Sequence, residues 1–261
     1  MRVNYFGIRH HNDHARSYVP VQHVSSEINI AFMYKNKIEG ETEDMVMEAT
    51  TYYFEKLSVE NTERLLQIAK KRAMEKEVKF VVVASTRGDT GVRAAEVFKG
   101  TGINVVIVTH QTGHRGPGIQ LLTDENKKKL EEMGVRIVTG TDALTGGVGL
   151  GLSYRAPPEK PDEATMKNIR TTLSYAQNIP PVESIIASTL RLFCEGLKVT
   201  IEIVLMAADA DAIPLNQDVI AIAGTSAGAN TAILVRPVNT TNFTQMDVHE
   251  IIAKPFTRMR G

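Results

Sequence analysis

Apolar and polar positions first fall into a regular order at residue 51. Residues 51–54 read as a short strand. The stretch 59–76 then carries Leu65, Leu66, Ile68, Ala69 and Ala73 at helical spacing, with Ser58 placed to cap it. Residues 78–84, Val78-Lys79-Phe80-Val81-Val82-Val83-Ala84, are too few for a helix and apolar on both faces, the pattern of a buried parallel strand. A helix over 91–98, a strand over 104–109, a helix over 124–133 and a strand over 136–139 follow. Strands alternating with helices predict a doubly wound, largely parallel sheet with right-handed crossovers.

That rhythm fails over 140–180, where Gly146, Gly147, Gly149 and Gly151 are followed by Pro157, Pro158 and Pro161. Such a long surface excursion is more often functional than idle. Pro180 and Pro181 open a helical stretch over 182–209, divided at Gly196. Its apolar part, 199–208, suits either the core or a subunit interface, so a homo-oligomer is compatible with it. Strands over 218–223 and 231–235 close the pattern, and the link between them is too short for a crossover helix, which makes the pair antiparallel. Residues 1–46 show no period and read as an N-terminal extension, poorly ordered or an add-on, leaving 47–261 as one α/β domain.

Composition narrows the function classes. Apolar residues make up 43% and charged residues 23%, so a sizeable core is expected. Lysine plus arginine and aspartate plus glutamate each number 30, with no single-sign block, which argues against nucleic acid and anionic membranes as partners. No stretch reaches the ~20 apolar residues of a membrane span, and the N-terminus lacks the apolar core of a signal peptide. The single cysteine, Cys194, rules out a disulfide within the chain, and a cytoplasmic location is expected. His10, His11 and His14 with Asp13 have nothing to fix their geometry, and His249-Glu250 is no HExxH motif because Ala253 stands at the second histidine position. No metal site is assigned.

The strongest local signal is the turn Ser85, Thr86, Arg87, Gly88, Asp89, Thr90, Gly91, which joins the buried strand to a helix. N–H groups at a helix start lack internal partners and carry partial positive charge, glycines allow close approach, and hydroxyls can donate. Read locally, the turn fits a phosphate cradle and a plain helix cap with Asp89 as N-cap equally well. It is neither a Walker loop nor a dinucleotide fingerprint, since GK[ST] and GxGxxG are both absent. A second candidate lies at the end of the next strand, with Thr109, His110, Gln111, Gly113, His114 and Arg115, against the alternative of a solvated loop. The third comprises Gly224, Thr225, Gly228, Asn230 and Thr231, against the alternative of a tight hairpin turn. Glu202, on an apolar helix, reads as facing the site or, the favoured reading, as exposed or paired with Lys198 one turn away.

These residues resemble the C-terminal α/β domain of pyruvate kinase in its stand-alone form. The similarity rests on 81–91, 105–110, 221–228 and Asn230-Thr231-Ala232. Pro181-Val182-Glu183, Gly196-Leu197-Lys198-Val199 and Met206-Ala207-Ala208-Asp209-Ala210 look like marks of the stand-alone members. The match covers about residues 51–256. The resemblance implies a three-layer α/β/α sandwich around a mixed five-stranded sheet of order 3-2-1-4-5, the last strand antiparallel. It also implies FMN as cofactor, its phosphate in the 85–91 turn and its ring reaching the loops at His110–Gly113 and Gly224–Thr231. The catalytic barrel of pyruvate kinase is absent from this sequence, so kinase activity is not expected. What remains is a flavin-binding protein with an oxidoreductase as its enzymatic form. The alternative is a regulatory domain sensing a sugar phosphate or nucleotide without catalysis.

Overall fold

Three consecutive β-branched residues, Val81, Val82 and Val83, are fully buried, and the rest of the fold is arranged around them. The computed structural model describes residues 48–56, 58–146, 181–225 and 228–257. The expectations for 1–46, and for the excursion beyond residue 146, lie outside the described residues. The strands are β1 (Tyr52–Phe54), β2 (Phe80–Ala84), β3 (Asn104–Thr109), β4 (Arg136–Thr139), β5 (Val219–Thr225), β6 (Gly228–Arg236) and β7 (Asp247–Pro255). The helices are α1 (Glu60–Glu75), α2 (Asp89–Phe98), α3 (Asp124–Glu132), α4 (Val182–Leu190) and α5 (Glu195–Asp209), with a 3-10 turn at Thr240–Gln245.

All seven strands form one mixed sheet in the order β1-β7-β6-β5-β2-β3-β4. Counted from β2, the segment β4-β3-β2-β5-β6 reproduces the expected order 3-2-1-4-5, with β5 and β6 antiparallel. Two points of the expectation are corrected. Among the described residues the sheet has seven strands rather than five, and the antiparallel strand β6 is internal, because β7 pairs with it and β1 pairs in parallel with β7. Strand β7 escapes a reading by hydropathy because its first half, Asp247, Val248 and His249, is exposed. Only Ile252, Ala253 and Pro255 are buried along it.

Pleating sends alternate side chains to opposite faces, and each face has its own core. Val81, Val83, Ile107, Ile220 and Ile222 pack with Leu65, Leu66, Ala94 and Leu130, under α1, α2 and α3. Val82, Val106, Val108, Ala221 and Ile233 pack with Leu197, Ile201, Val204 and Leu205 of α5. The result is the expected three-layer sandwich. Each buried Val, Leu or Ile contributes about 1.5–3 kcal/mol relative to exposure, so the two faces carry most of the stability. The apolar stretch of α5 goes to the core.

Helix caps differ from expectation in three places. The N-cap of α1 is Val59, not Ser58, and it makes no side-chain cap bond. Helix α2 begins at Asp89, with Gly88 rather than Asp89 as N-cap. The 182–209 stretch divides at Cys194 rather than Gly196. There the Cys194 side chain caps α5, Sγ accepting from Leu197 N–H at 3.3 Å. Gly196 serves another end. A Cβ there would meet Thr231 of β6, with the Thr231 Cβ at 2.6 Å. Gly196→Ala should therefore lower stability by about 1–3 kcal/mol through overpacking, read as a fall in the thermal midpoint by circular dichroism.

Candidate functional site

Strands β2, β3, β4 and β5 run parallel, so their carboxyl ends, the start of β6 and the three loops singled out above share one edge of the sheet. From β2 the chain steps one way to β3 and β4, then returns to the other side of β2 as β5. The order reverses between β2 and β5. In open α/β sheets the crevice at such a reversal is where ligands lie. The 85–91 turn stands on its β2 side, and Gly224 and Thr225 stand on its β5 side.

Internal bonds hold the turn in shape. Ser85 is buried, its N–H donates to the Val108 carbonyl at 3.0 Å, and its Oγ accepts from Gly91 N–H at 3.0 Å. Gly88 has φ +101°, a left-handed conformation that glycine tolerates without cost. From the α3 side, Asn126 Nδ2 donates to the Arg87 carbonyl at 3.0 Å and to Asp89 Oδ1 at 3.1 Å. A Cβ on Gly88 would lie 2.9 Å from Leu122 Cδ1 and closer still to Asn126. Bulk at Gly88 would therefore disturb the docking of α3, and this position cannot report on a ligand alone. Thr86, Arg87 and Asp89 are exposed and Thr90 is half-buried. With Gly91 N–H taken by Ser85, the turn offers the Asp89 and Thr90 N–H groups that open α2, two threonine hydroxyls and one guanidinium.

The loop after β3 is organised by a residue the sequence reading passed over. Asp142, three residues beyond β4 and 3% exposed, faces His110 Nδ1 at 3.0 Å and His114 Nδ1 at 3.6 Å through the same oxygen, Oδ2. Its other oxygen, Oδ1, accepts from Gln111 N–H at 3.3 Å. The two imidazoles stack with centroids 4.2 Å apart and 16° between planes. Burial pushes the Asp142 carboxyl up, but the hydrogen bond from His110, the charge of that ring, the Gln111 N–H and the charge of His114 together hold it below the usual carboxylate range. Thr109 is buried, its Oγ1 2.8 Å from Thr139 Oγ1. Gly113, at φ +93°, closes the loop by donating its N–H to the Ile119 carbonyl at 2.9 Å. Arg115 is exposed. Asp142 was legible by the rule that drew attention to His110, since both follow the carboxyl end of a strand.

The expected pairing of Glu202 with Lys198 is present, and it does more than join two turns of α5. Lys198 Nζ lies 2.5 Å from Glu202 Oε2, with the side chains only 4% and 5% exposed. Glu202 Oε1 accepts from Leu144 N–H and from Thr145 Oγ1, both at 2.9 Å, and Lys198 Nζ donates to Thr145 Oγ1 at 2.8 Å. The buried pair thereby anchors the loop that carries Asp142. Beside it, between that loop, α4 and α5, opens a cleft of about 640 Å³ lined by Thr139, Asp142, Ser184 and Met206. This cleft lies on the β4 side, away from the crevice between β2 and β5.

The hairpin between β5 and β6 is tight, and its residues divide by role. Asn230 and Thr231 are buried, Thr231 Oγ1 donating to Asn230 Oδ1 at 2.9 Å and lying 3.5 Å from Cys194 Sγ. Gly228, at φ +115°, packs on Thr62, whose hydroxyl accepts from Ala229 N–H at 3.0 Å. These residues fasten the hairpin to α1 and α5. Gly224 and Thr225 are only half-buried and border the crevice.

No family model matches this chain. Among solved structures, O-ureido-L-serine synthase is similar over 57% of this chain at 20% sequence identity, with a TM-score of 0.25. The match spans 48% of that protein's own chain, about half its length. A likeness so slight carries no argument about chemistry.

Proposed function

We propose that the protein binds FMN, with the phosphate on the 85–91 turn and the isoalloxazine ring extending over Gly224 and Thr225. The observation that carries this reading is the reversal of strand order between β2 and β5, which sets a helix start and the Gly224 end of β5 on either side of one crevice. Thr86, Thr90, Arg87 and the N–H groups opening α2 supply the donors. Asp89 has the sign of a phosphate, but its Oδ1 is engaged by Asn126. The resemblance to stand-alone pyruvate kinase C-terminal domains supplies the ligand class.

The binding claim comes first and the oxidoreductase follows from it, because in a flavin enzyme the cofactor carries the chemistry and the protein supplies position and electrostatics. No helix among the described residues is long and apolar enough to cross a membrane. With Cys194 buried as a helix cap, a cytoplasmic protein working on small molecules is the fitting setting.

The test is to add FMN to the purified protein and follow flavin absorption and fluorescence, then to add NADH or NADPH. Saturable binding with perturbed spectra is expected. Bleaching by a nicotinamide donor would identify an oxidoreductase. Bound flavin that stays oxidised would point to the sensing role, and a protein that ignores FMN would overturn the proposal.

A further inference from the structure

We propose that His110, His114 and Asp142 form a binding site for one divalent first-row transition-metal ion. Each offers one ligand atom, and these atoms lie within 4.8 Å of one another. In a tetrahedral site with metal bonds of about 2.0–2.1 Å, neighbouring ligand atoms stand about 3.3 Å apart. The two Nδ1-to-Oδ2 distances, 3.0 and 3.6 Å, bracket that spacing. Two imidazoles and one carboxylate are a donor set suited to Zn²⁺ or Fe²⁺, and three protein ligands leave coordination positions open.

The surroundings favour a cation held in place. Asp142 is buried, and Gln111 N–H fixes Oδ1 so that Oδ2 is presented to the histidines. The buried Lys198–Glu202 pair holds Leu144 N–H and the Thr145 hydroxyl, two and three residues along the same loop. The His110 side chain is 37% exposed, which gives an ion a way in from solvent. This site sits past β3 and β4, on the opposite side of β2 from the crevice facing β5, and it does not rest on the flavin reading.

Binding of Zn²⁺ by calorimetry, and of Co²⁺ by its visible absorption, tests the site in flavin-free, full-length protein. Because His10, His11, His14 and His23 could also take metal, these are first replaced by alanine. One ion per chain should bind in that background, with visible Co²⁺ bands showing nitrogen and oxygen ligation. His114→Ala and Asp142→Asn should each weaken binding by about 100-fold or more and remove those bands. His110→Ala, at a partly exposed position, should do the same and keeps the test open should a buried variant fail to fold. Zn²⁺ should raise the thermal midpoint of the background protein and leave that of the variants unchanged. No saturable binding in the background, or binding unchanged in the His110 variant, would overturn the proposal.

Discussion

Replacing Lys198 by methionine is expected to lower the unfolding free energy by about 3–5 kcal/mol, because it leaves the Glu202 carboxylate buried without its cation. The two side chains are 4% and 5% exposed, so solvent cannot substitute for the lost ammonium. Glu202 would keep its bonds from Leu144 N–H and Thr145 Oγ1, but neither neutralises its charge. The loss is measured as a shift in the urea midpoint at constant slope. The double variant Lys198→Met, Glu202→Leu should recover most of it, since a well-packed apolar pair replaces a buried ion pair at little cost. A single-variant loss below about 1 kcal/mol would show that the pair is solvated, contrary to this account.

Thr86→Glu is expected to weaken FMN binding by at least about tenfold, equivalent to about 1.4 kcal/mol, by setting a carboxylate beside the proposed phosphate position. Thr86 is exposed, so the fold should be untouched and the thermal midpoint should change little. Thr86→Ser retains a hydroxyl and should bind nearly as well as the original protein. Equal affinities for all three would exclude the 85–91 turn as the phosphate site. Thr86 is a cleaner probe than Gly88, because a side chain at Gly88 would collide with Leu122 and Asn126 and mix folding with binding.

What hydropathy reveals depends on whether an element is buried on both faces. The Val81-Val82-Val83 run feeds two cores at once, and so β2 and the parallel order around it were legible. Strand β7 lies next to the edge strand β1, exposes Asp247 to His249, and has only Ile252, Ala253 and Pro255 to mark it. Its charges conceal a strand whose place is set by pairing with β6 rather than by its own pattern. Much of its anchoring is polar. Arg72 of α1 reaches Glu250 through Nε at 2.9 Å and Nη2 at 3.0 Å.

The site follows the same logic. The turn at Gly88 was legible because the special backbone conformation and the residue type coincide. Lys198 and Glu202 were legible as an i,i+4 pair, whereas their hold on Leu144 and Thr145 spans more than fifty residues of sequence and left no local trace. The place of Asp142 past a strand end was legible, but its partnership with the histidines was hidden in the same way. Its partners His110 and His114 lie about thirty residues earlier, and only the pairing of β3 with β4 brings the two loops together.

The central claim, that the 85–91 turn holds the phosphate of a flavin, is tested most directly by titrating the protein with FMN and with riboflavin, which differ only by that phosphate. Loss of charge-assisted hydrogen bonds from the start of α2 and its hydroxyls should separate the two. The expected result is saturable FMN binding at least about 100-fold tighter than riboflavin, a difference of about 2.7 kcal/mol. Equal affinities, or no binding of either flavin, would contradict it.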